Sequence, residues 1–190
     1  MEEINNEVRN CIEVLQKGGL ILYPTDTVWG IGCDATNADA VEKIYTLKNR
    51  SDSKSLIVLL DNESKLLSYV SNVPDVAWDL IEFAEKPLTI VYDDAKNLAK
   101  NVIADDGSAG VRITRDFFCK ELIRKFRKPV VSTSANISGK NAPANFDDID
   151  PAIINGIDYV VNLRQHEKIE SSPSTIIRLK NDGQFQFIRR

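Results

Sequence analysis

A short apolar run, Gly19 to Leu22, gives way at Tyr23 to the stretch YPTDTVWGIG, which closes at Gly32. Just upstream, Ile4, Val8, Ile12 and Leu15 recur at helical spacing, and the pair Gly18-Gly19 ends that helix. The apolar run is too short for another helix and fits a buried strand. Two hydroxyls and a carboxylate, Thr25, Asp26 and Thr27, therefore sit just past a strand end, followed by Gly30 and Gly32. In open α/β sheets ligands bind beyond the carboxyl ends of strands, and glycines let a ligand approach the main chain. Two readings stay open: a wall of a ligand site, or a turn whose Thr and Asp side chains satisfy their own backbone.

The same alternation continues along the chain and gives an α/β fold class. Asn37 to Asp39 starts a helix in which Val41, Ile44 and Tyr45 share a face, Ser55 to Leu60 reads as a strand, Pro74 to Ala84 as a helix and Leu88 to Tyr92 as a strand. In Ala109 to Thr114, Val111 and Ile113 alternate with Arg112 and Thr114, which turns Arg112 away from the core residues. Asp116 caps a helix to Arg127 whose apolar side is Phe118, Leu122, Ile123 and Phe126. Pro129 to Val131 begins a buried strand, Phe146 to Ile154 a weak helix, and Tyr159 to Leu163, Thr175 to Leu179 and Phe185 to Ile188 closing strands. Hairpin chemistry at Lys180 to Gly183 makes the last two antiparallel. A chain of 190 residues without linker or repeat is expected to form one domain over 1–190.

Several function classes drop out. No run approaches the roughly 18 apolar residues of a membrane span. The start, MEEINNEVRN, is acidic and amphipathic where a secretory signal is basic and then apolar, so a cytoplasmic protein without a membrane partner is expected. Cys11, Cys33 and Cys119 are odd in number and widely spaced, which excludes a disulfide framework or a structural zinc site, and no metal ligand is assigned. The only histidine, His166, lies in a polar stretch and leaves no base poised to activate a serine. A net charge of −4 speaks against a protein basic all over, although RNA binding needs only a local patch.

Polar groups at presumed strand ends and loops are Thr25, Asp26, Thr27, Lys48, Arg50, Lys54, Arg112, Ser132, Ser134, Asn136, Ser174 and Arg189. Cations and hydroxyls dominate, which suits an anionic ligand carrying phosphates. Lys48 follows Ile44 by four residues on the face that should be buried, so it either snorkels at a solvated helix end or directs its ammonium inward to an anion. STSANISG, after an apolar strand, offers hydroxyls and backbone N–H groups of the kind that bind anions. The basic residues from Arg112 to Lys128 fit a solvated helix face or an RNA-facing patch. Neither common nucleotide fingerprint is present. The residues alone define a phosphate-binding α/β protein without naming its substrate.

The order PTDTVWG, Lys48-x-Arg50, KSLIVLL, PLTIV, VRI, STSANISG, SPSTII and FIRR, spanning Gly18 to Arg189, closely resembles the YrdC-like family of threonylcarbamoyl-AMP synthases. The resemblance implies a twisted mixed β-sheet with flanking helices and a large concave cavity, in the short, single-domain form. It implies a nucleotidyltransferase forming L-threonylcarbamoyladenylate and pyrophosphate from L-threonine, bicarbonate and ATP, with Mg²⁺ assisting, for threonylcarbamoyladenosine modification of tRNA. Matched residue by residue, Lys48 and Arg50 are expected to be catalytic and, with Lys54, to hold ATP phosphates. Ser108, Ser134, Asn136, Ala142 and Arg189 are expected at the nucleotide, and Thr27, Arg112, Ser132 and Ser174 at threonine. Expected partners are the tRNA-modification proteins that transfer the threonylcarbamoyl group, with tRNA or double-stranded RNA as candidate ligands.

The chain departs from the family pattern in carrying Arg50-Ser51 and Lys54-Ser55-Leu56 where Arg-Pro and Lys-Pro-Leu are usual, and Leu59 or a neighbour where a histidine sometimes stands. Two other readings are a non-catalytic RNA-binding module drawing on the basic run, and the carbamoyltransferase domain of hydrogenase maturation factors. The second is discounted because neither zinc-finger cysteines nor an acylphosphatase segment accompany the chain.

Overall fold

The computed structural model describes residues 2–49, 56–168 and 172–190. Helix α1 (Glu2–Gln16) leads into β1 (Ile21–Tyr23) and β2 (Gly30–Gly32), followed by α2 (Ala38–Leu47), β3 (Ile57–Leu60), α3 (Val76–Phe83), β4 (Leu88–Tyr92) and β5 (Ala109–Ile113). Then come α4 (Phe117–Phe126), β6 (Val130–Ser134), α5 (Pro151–Asn155), β7 (Tyr159–Val160), β8 (Thr175–Leu179) and β9 (Phe185–Arg189). Local chemistry sets the helix ends. The Asn37 side chain accepts from the N–H groups of Asp39 and Ala40, and Asp116 accepts from Cys119, so both caps satisfy donors that a helix start leaves open.

Among the described residues the strands form one sheet in the order β7-β1-β2-β6-β3-β5-β4-β8-β9. The pairs β7–β1, β3–β5 and β4–β8 are parallel and the others antiparallel, so the sheet is mixed as expected. The expected helix over Phe146 to Ile154 is a short 3₁₀ turn at Phe146–Asp148 followed by α5, and β7 is shorter than the run Tyr159 to Leu163.

One element departs from the sequence reading altogether. Gly30–Gly32, taken with the polar turn, is a buried strand between β1 and β6. Two glycines outweigh the strand preference of Ile31 alone, and the reason for the strand is spatial. A Cβ on Gly32 would lie 2.6 Å from Cε1 of Tyr23 and 2.9 Å from the Val131 carbonyl oxygen. The close approach that Gly32 permits is made by the protein itself.

Alternation along the strands gives the sheet two faces. Leu22, Ile31, Val58, Leu60, Val111 and Val131 pack with Val41 and Ile44 of α2 and with Ala77 of α3. Ile21, Tyr23, Leu59 and Val130 point the other way and join Val8, Cys11 and Leu15 of α1 and Phe118, Leu122, Ile123 and Phe126 of α4. Fully burying each such Leu, Ile or Phe contributes about 1.5–3 kcal/mol. On this second face the residues change along the strands from large and apolar to small and polar, with Gly30, Ser132 and Ser134 on β2 and β6 and Thr89 on β4. Helices α1 and α4 cover the apolar part, and the candidate site lies over the rest.

Candidate active site

The β1–β2 loop is held by its own side chains. The Thr25 hydroxyl donates to the Val28 carbonyl at 2.8 Å, accepts the Thr27 N–H at 3.0 Å and lies 2.9 Å from the Thr27 hydroxyl. Beneath the loop the Cys119 thiol donates to the Pro24 carbonyl at 3.5 Å. The turn thus satisfies its own backbone, and Thr25, Asp26 and Thr27 also line a cavity.

Arg112 enters from β5 on the face opposite Val111, as its alternation requires, yet it is only 2% exposed. Its Nη1 donates to the Thr27 hydroxyl at 3.1 Å and its Nη2 lies 3.2 Å from Asp26 Oδ1. Asp26 Oδ2 accepts in turn from the Thr114 hydroxyl and the Arg115 N–H, both at 3.3 Å. Asp26 thus holds Arg112 as well as the turn. Thr89 and Ser174 hydroxyls meet at 2.8 Å, and Arg189 reaches the Ser174 carbonyl through Nε and Nη2 at 3.0 and 2.8 Å. Burial first, and then the neighbouring Arg112, pull the Arg189 guanidinium below its ordinary value. Two guanidinium groups converging in this way favour an anion between them.

On the far side of β6, the Lys48 ammonium is buried and donates to the Ser134 carbonyl, while the Lys48 carbonyl accepts the Ser138 N–H at 3.0 Å. The end of α2 and the loop after β6 are therefore clasped together. Asn136 donates from Nδ2 to the Lys140 carbonyl at 2.7 Å, and its buried Oδ1 has no hydrogen-bond partner among the described residues.

These elements enclose a cavity of about 410 Å³ lined by Thr27, Gly30, Ile57, Arg112, Ser132, Ser134, Asn136, Lys140, Ala142, Ser174 and Arg189, among others. It shares Thr27, Val28, Pro173 and Arg189 with a second cavity of about 700 Å³. Eight of the expected site residues, Thr27, Arg112, Ser132, Ser134, Asn136, Ala142, Ser174 and Arg189, therefore meet at one place. Lys48 stands behind Ser134 and is not among the lining residues. Ser108 lies away from the cavity at the start of β5, where its hydroxyl donates to Asp106 at 2.6 Å. Arg50 and Lys54 lie outside the described residues. Leu59 is fully buried among the α4 side chains, so Ile57 is the β3 residue at the cavity. Thr25 carries no role in the sequence reading, and Thr89 is not among its polar groups; the signal for Thr89 is a hydroxyl inside the largely apolar strand LTIVY.

No acidic side chain lines the smaller cavity among the described residues, while Arg112, Lys140 and Arg189 do. Burial above all holds the Cys119 thiol well above its ordinary value, with Asp116 and Asp26 adding to the effect, so it stays a packed thiol. The fold and the site together define an α/β protein with a cavity lined by cations and hydroxyls.

The chain belongs to the family of Sua5, YciO and YrdC proteins, whose family model, described as telomere recombination, matches residues 13–190. A threonylcarbamoyl-AMP synthase of Pseudoalteromonas translucida is 37% identical over 155 residues, covering 80% of this chain and 83% of that protein. The crystal structure of P. abyssi Sua5 complexed with L-threonine superposes with a TM-score of 0.80 at 25% identity and covers 90% of this chain; the chain spans 50% of that Sua5. E. coli YciO, at 22% identity, shares the fold with a TM-score of 0.83 over 96% of this chain and 88% of that one.

Proposed function

We propose that this chain forms L-threonylcarbamoyladenylate and pyrophosphate from L-threonine, bicarbonate and ATP. The observation that carries the reading is the convergence of Arg112 and Arg189, with the hydroxyls of Thr27, Ser132, Ser134 and Ser174, on a cavity without a lining carboxylate among the described residues. A relative named for this activity at 37% identity supports it. The threonine amine takes up carbon dioxide derived from bicarbonate to give a carbamate, whose oxygen attacks the α-phosphorus of ATP and expels pyrophosphate. Two anions must meet, and preorganised cations lower the cost of their repulsion. Holding them in line supplies much of the remainder, and no side-chain nucleophile is needed.

In this reading Arg112 receives the amino-acid carboxylate, with Thr27, Ser132 and Ser174 around it. Ser134, Asn136, Ala142 and Arg189 meet the nucleotide. Lys48 braces the Ser134 loop from behind, and Arg50 and Lys54, outside the described residues, are the proposed phosphate contacts. Ser108 is the assignment its placement does not support. The described residues include no group of three or more His, Cys, Asp or Glu able to hold a metal. Mg²⁺ would travel with the ATP phosphates and offset their charge.

Partners in tRNA modification would take up the labile product in the cytoplasm; among the described residues no helix is long and apolar enough to cross a membrane. The competing RNA-module reading loses its footing because most of the basic run is engaged within the protein. Arg115 donates to the carbonyls of Ile81, Glu82 and Ala84, Arg124 pairs with Glu121, and Lys128 pairs with Asp34. The test is pyrophosphate release from ATP with and without L-threonine and bicarbonate. Release should require both, and threonine-independent release would overturn the reading.

A further inference from the structure

We propose that Thr25 and Asp26 are positioning residues that fix the polarity of the amino-acid site: Thr25 makes Thr27 an acceptor towards the ligand, and Asp26 holds Arg112 beside it as the donor. The inference rests on the threonine reading above and assigns the orientation in which the amino acid is read.

Proton accounting carries it. The Thr25 hydroxyl has one proton, and the Val28 carbonyl, which can only accept, takes it at 2.8 Å. Thr25 Oγ1 is then an acceptor to everything else. It receives the Thr27 N–H at 3.0 Å, and the 2.9 Å contact between the two hydroxyls runs from Thr27 to Thr25. Arg112, which has donors only, occupies a lone pair of Thr27 Oγ1 at 3.1 Å. Thr27 Oγ1 has thus spent its proton inward and keeps one lone pair for the cavity it lines. That lone pair meets an N–H or O–H of a ligand and repels a carboxylate oxygen.

Arg112 is the complement. Asp26, itself held by the Thr114 hydroxyl and the Arg115 N–H, fixes one edge of the guanidinium, and Thr27 takes another donor. The buried Nε–H has no hydrogen-bond partner among the described residues. A fixed acceptor and a cationic donor 3.1 Å apart read an α-amino acid one way round, amine at Thr27 and carboxylate at Arg112. This places the amine, the atom that must become the carbamate nitrogen, against the β1–β2 loop.

The experiment compares the wild type with Thr25→Val, Thr25→Ser and Asp26→Asn by calorimetric titration with L-threonine and by steady-state pyrophosphate release. Losing one oriented contact, the Thr25 hydrogen bond in Thr25→Val or the ion pair to Arg112 in Asp26→Asn, should raise Kd and KM for L-threonine about tenfold, with KM for ATP and kcat changing less than about threefold. Thr25→Ser, which keeps the hydroxyl, should return to within about threefold of the wild type. A purely structural role would lower the melting point without separating threonine from ATP. Unchanged threonine KM in the folded variants would overturn the proposal while leaving a threonine-dependent wild type as a synthase. A wild type that neither binds threonine nor responds to it would overturn the functional reading as well. Should Thr25→Val not fold, Asp26→Asn decides.

Discussion

Adding one methyl to each glycine of β2 should separate packing from chemistry. At Gly32 the new Cβ would lie 2.6 Å from Cε1 of Tyr23 and 2.9 Å from the Val131 carbonyl oxygen. Neither atom can retreat. Tyr23 is 1% exposed in the core beneath α1 and α4, its hydroxyl donates to that same Val131 oxygen at 3.2 Å, and Val131 sits in the interior strand β6. Overpacking a core costs about 1–3 kcal/mol, and a backbone oxygen among the clashing atoms puts Gly32→Ala in the upper half, about 2–3 kcal/mol. For a chain of this size each kcal/mol moves the melting point by about 2–4 °C, so a fall of about 4–12 °C is expected. At Gly30 the nearest atoms are Ser132 Oγ at 3.1 Å and Thr25 Cγ2 at 3.4 Å, both side-chain ends beside the cavity. Gly30→Ala should cost under about 1 kcal/mol, because those ends can yield by a few tenths of an ångström. Its methyl would instead stand on the cavity floor and raise KM for L-threonine. Scanning calorimetry and pyrophosphate release on both variants make the comparison. Gly32→Ala melting within about 1 °C of the wild type would refute the packing argument.

Two further outcomes follow from the same contacts. Arg112→Lys keeps the charge but loses the fork that reaches Thr27 and Asp26 together, so kcat/KM for L-threonine should fall at least about tenfold in the pyrophosphate assay, and a wild-type value would remove Arg112 from the site. In the second, hydrogen bonds from Ser108 first and then Arg178 hold the Asp106 carboxyl down to about 2, against an ordinary 3.8. A depressed carboxyl stabilises the fold above its unfolded value and loses that contribution as pH falls through the folded one. Acid unfolding followed by circular dichroism should therefore steepen between about pH 4 and pH 2, and Asp106→Asn should flatten that limb, less so in high salt because the carboxylate is half exposed.

Helices were legible wherever their signals are local. Asn37 and Asp116 stand immediately before the helices they cap, and Phe118, Leu122, Ile123 and Phe126 mark the buried side of α4 within ten residues. The β8–β9 hairpin likewise carries its turn between its strands. β2 was illegible because its identity lies in neighbours: nothing in Gly-Ile-Gly states that a tyrosine ring from β1 and a carbonyl from β6 fill the space a side chain would need. The basic run from Arg112 to Lys128 shows the same limit from the side of charge. Several members meet partners distant in sequence, Arg112 at Asp26 and Thr27, Arg115 at the carbonyls that end α3, Lys125 at Asn5 and Lys128 at Asp34, so a local count of cations does not show which of them the fold has already engaged. The site is non-local in the same way. Thr27 and Arg112 are 85 residues apart in sequence, and β6 and β3 stand between β2 and β5 in the sheet. Periodicity can place each residue at a strand end but not beside the other. Only the order of motifs along the chain carried that information: it named eight residues that line the cavity, along with Lys48 and Ser108, which do not, and it was silent on the contacts that Thr25 and Asp26 make with Thr27 and Arg112.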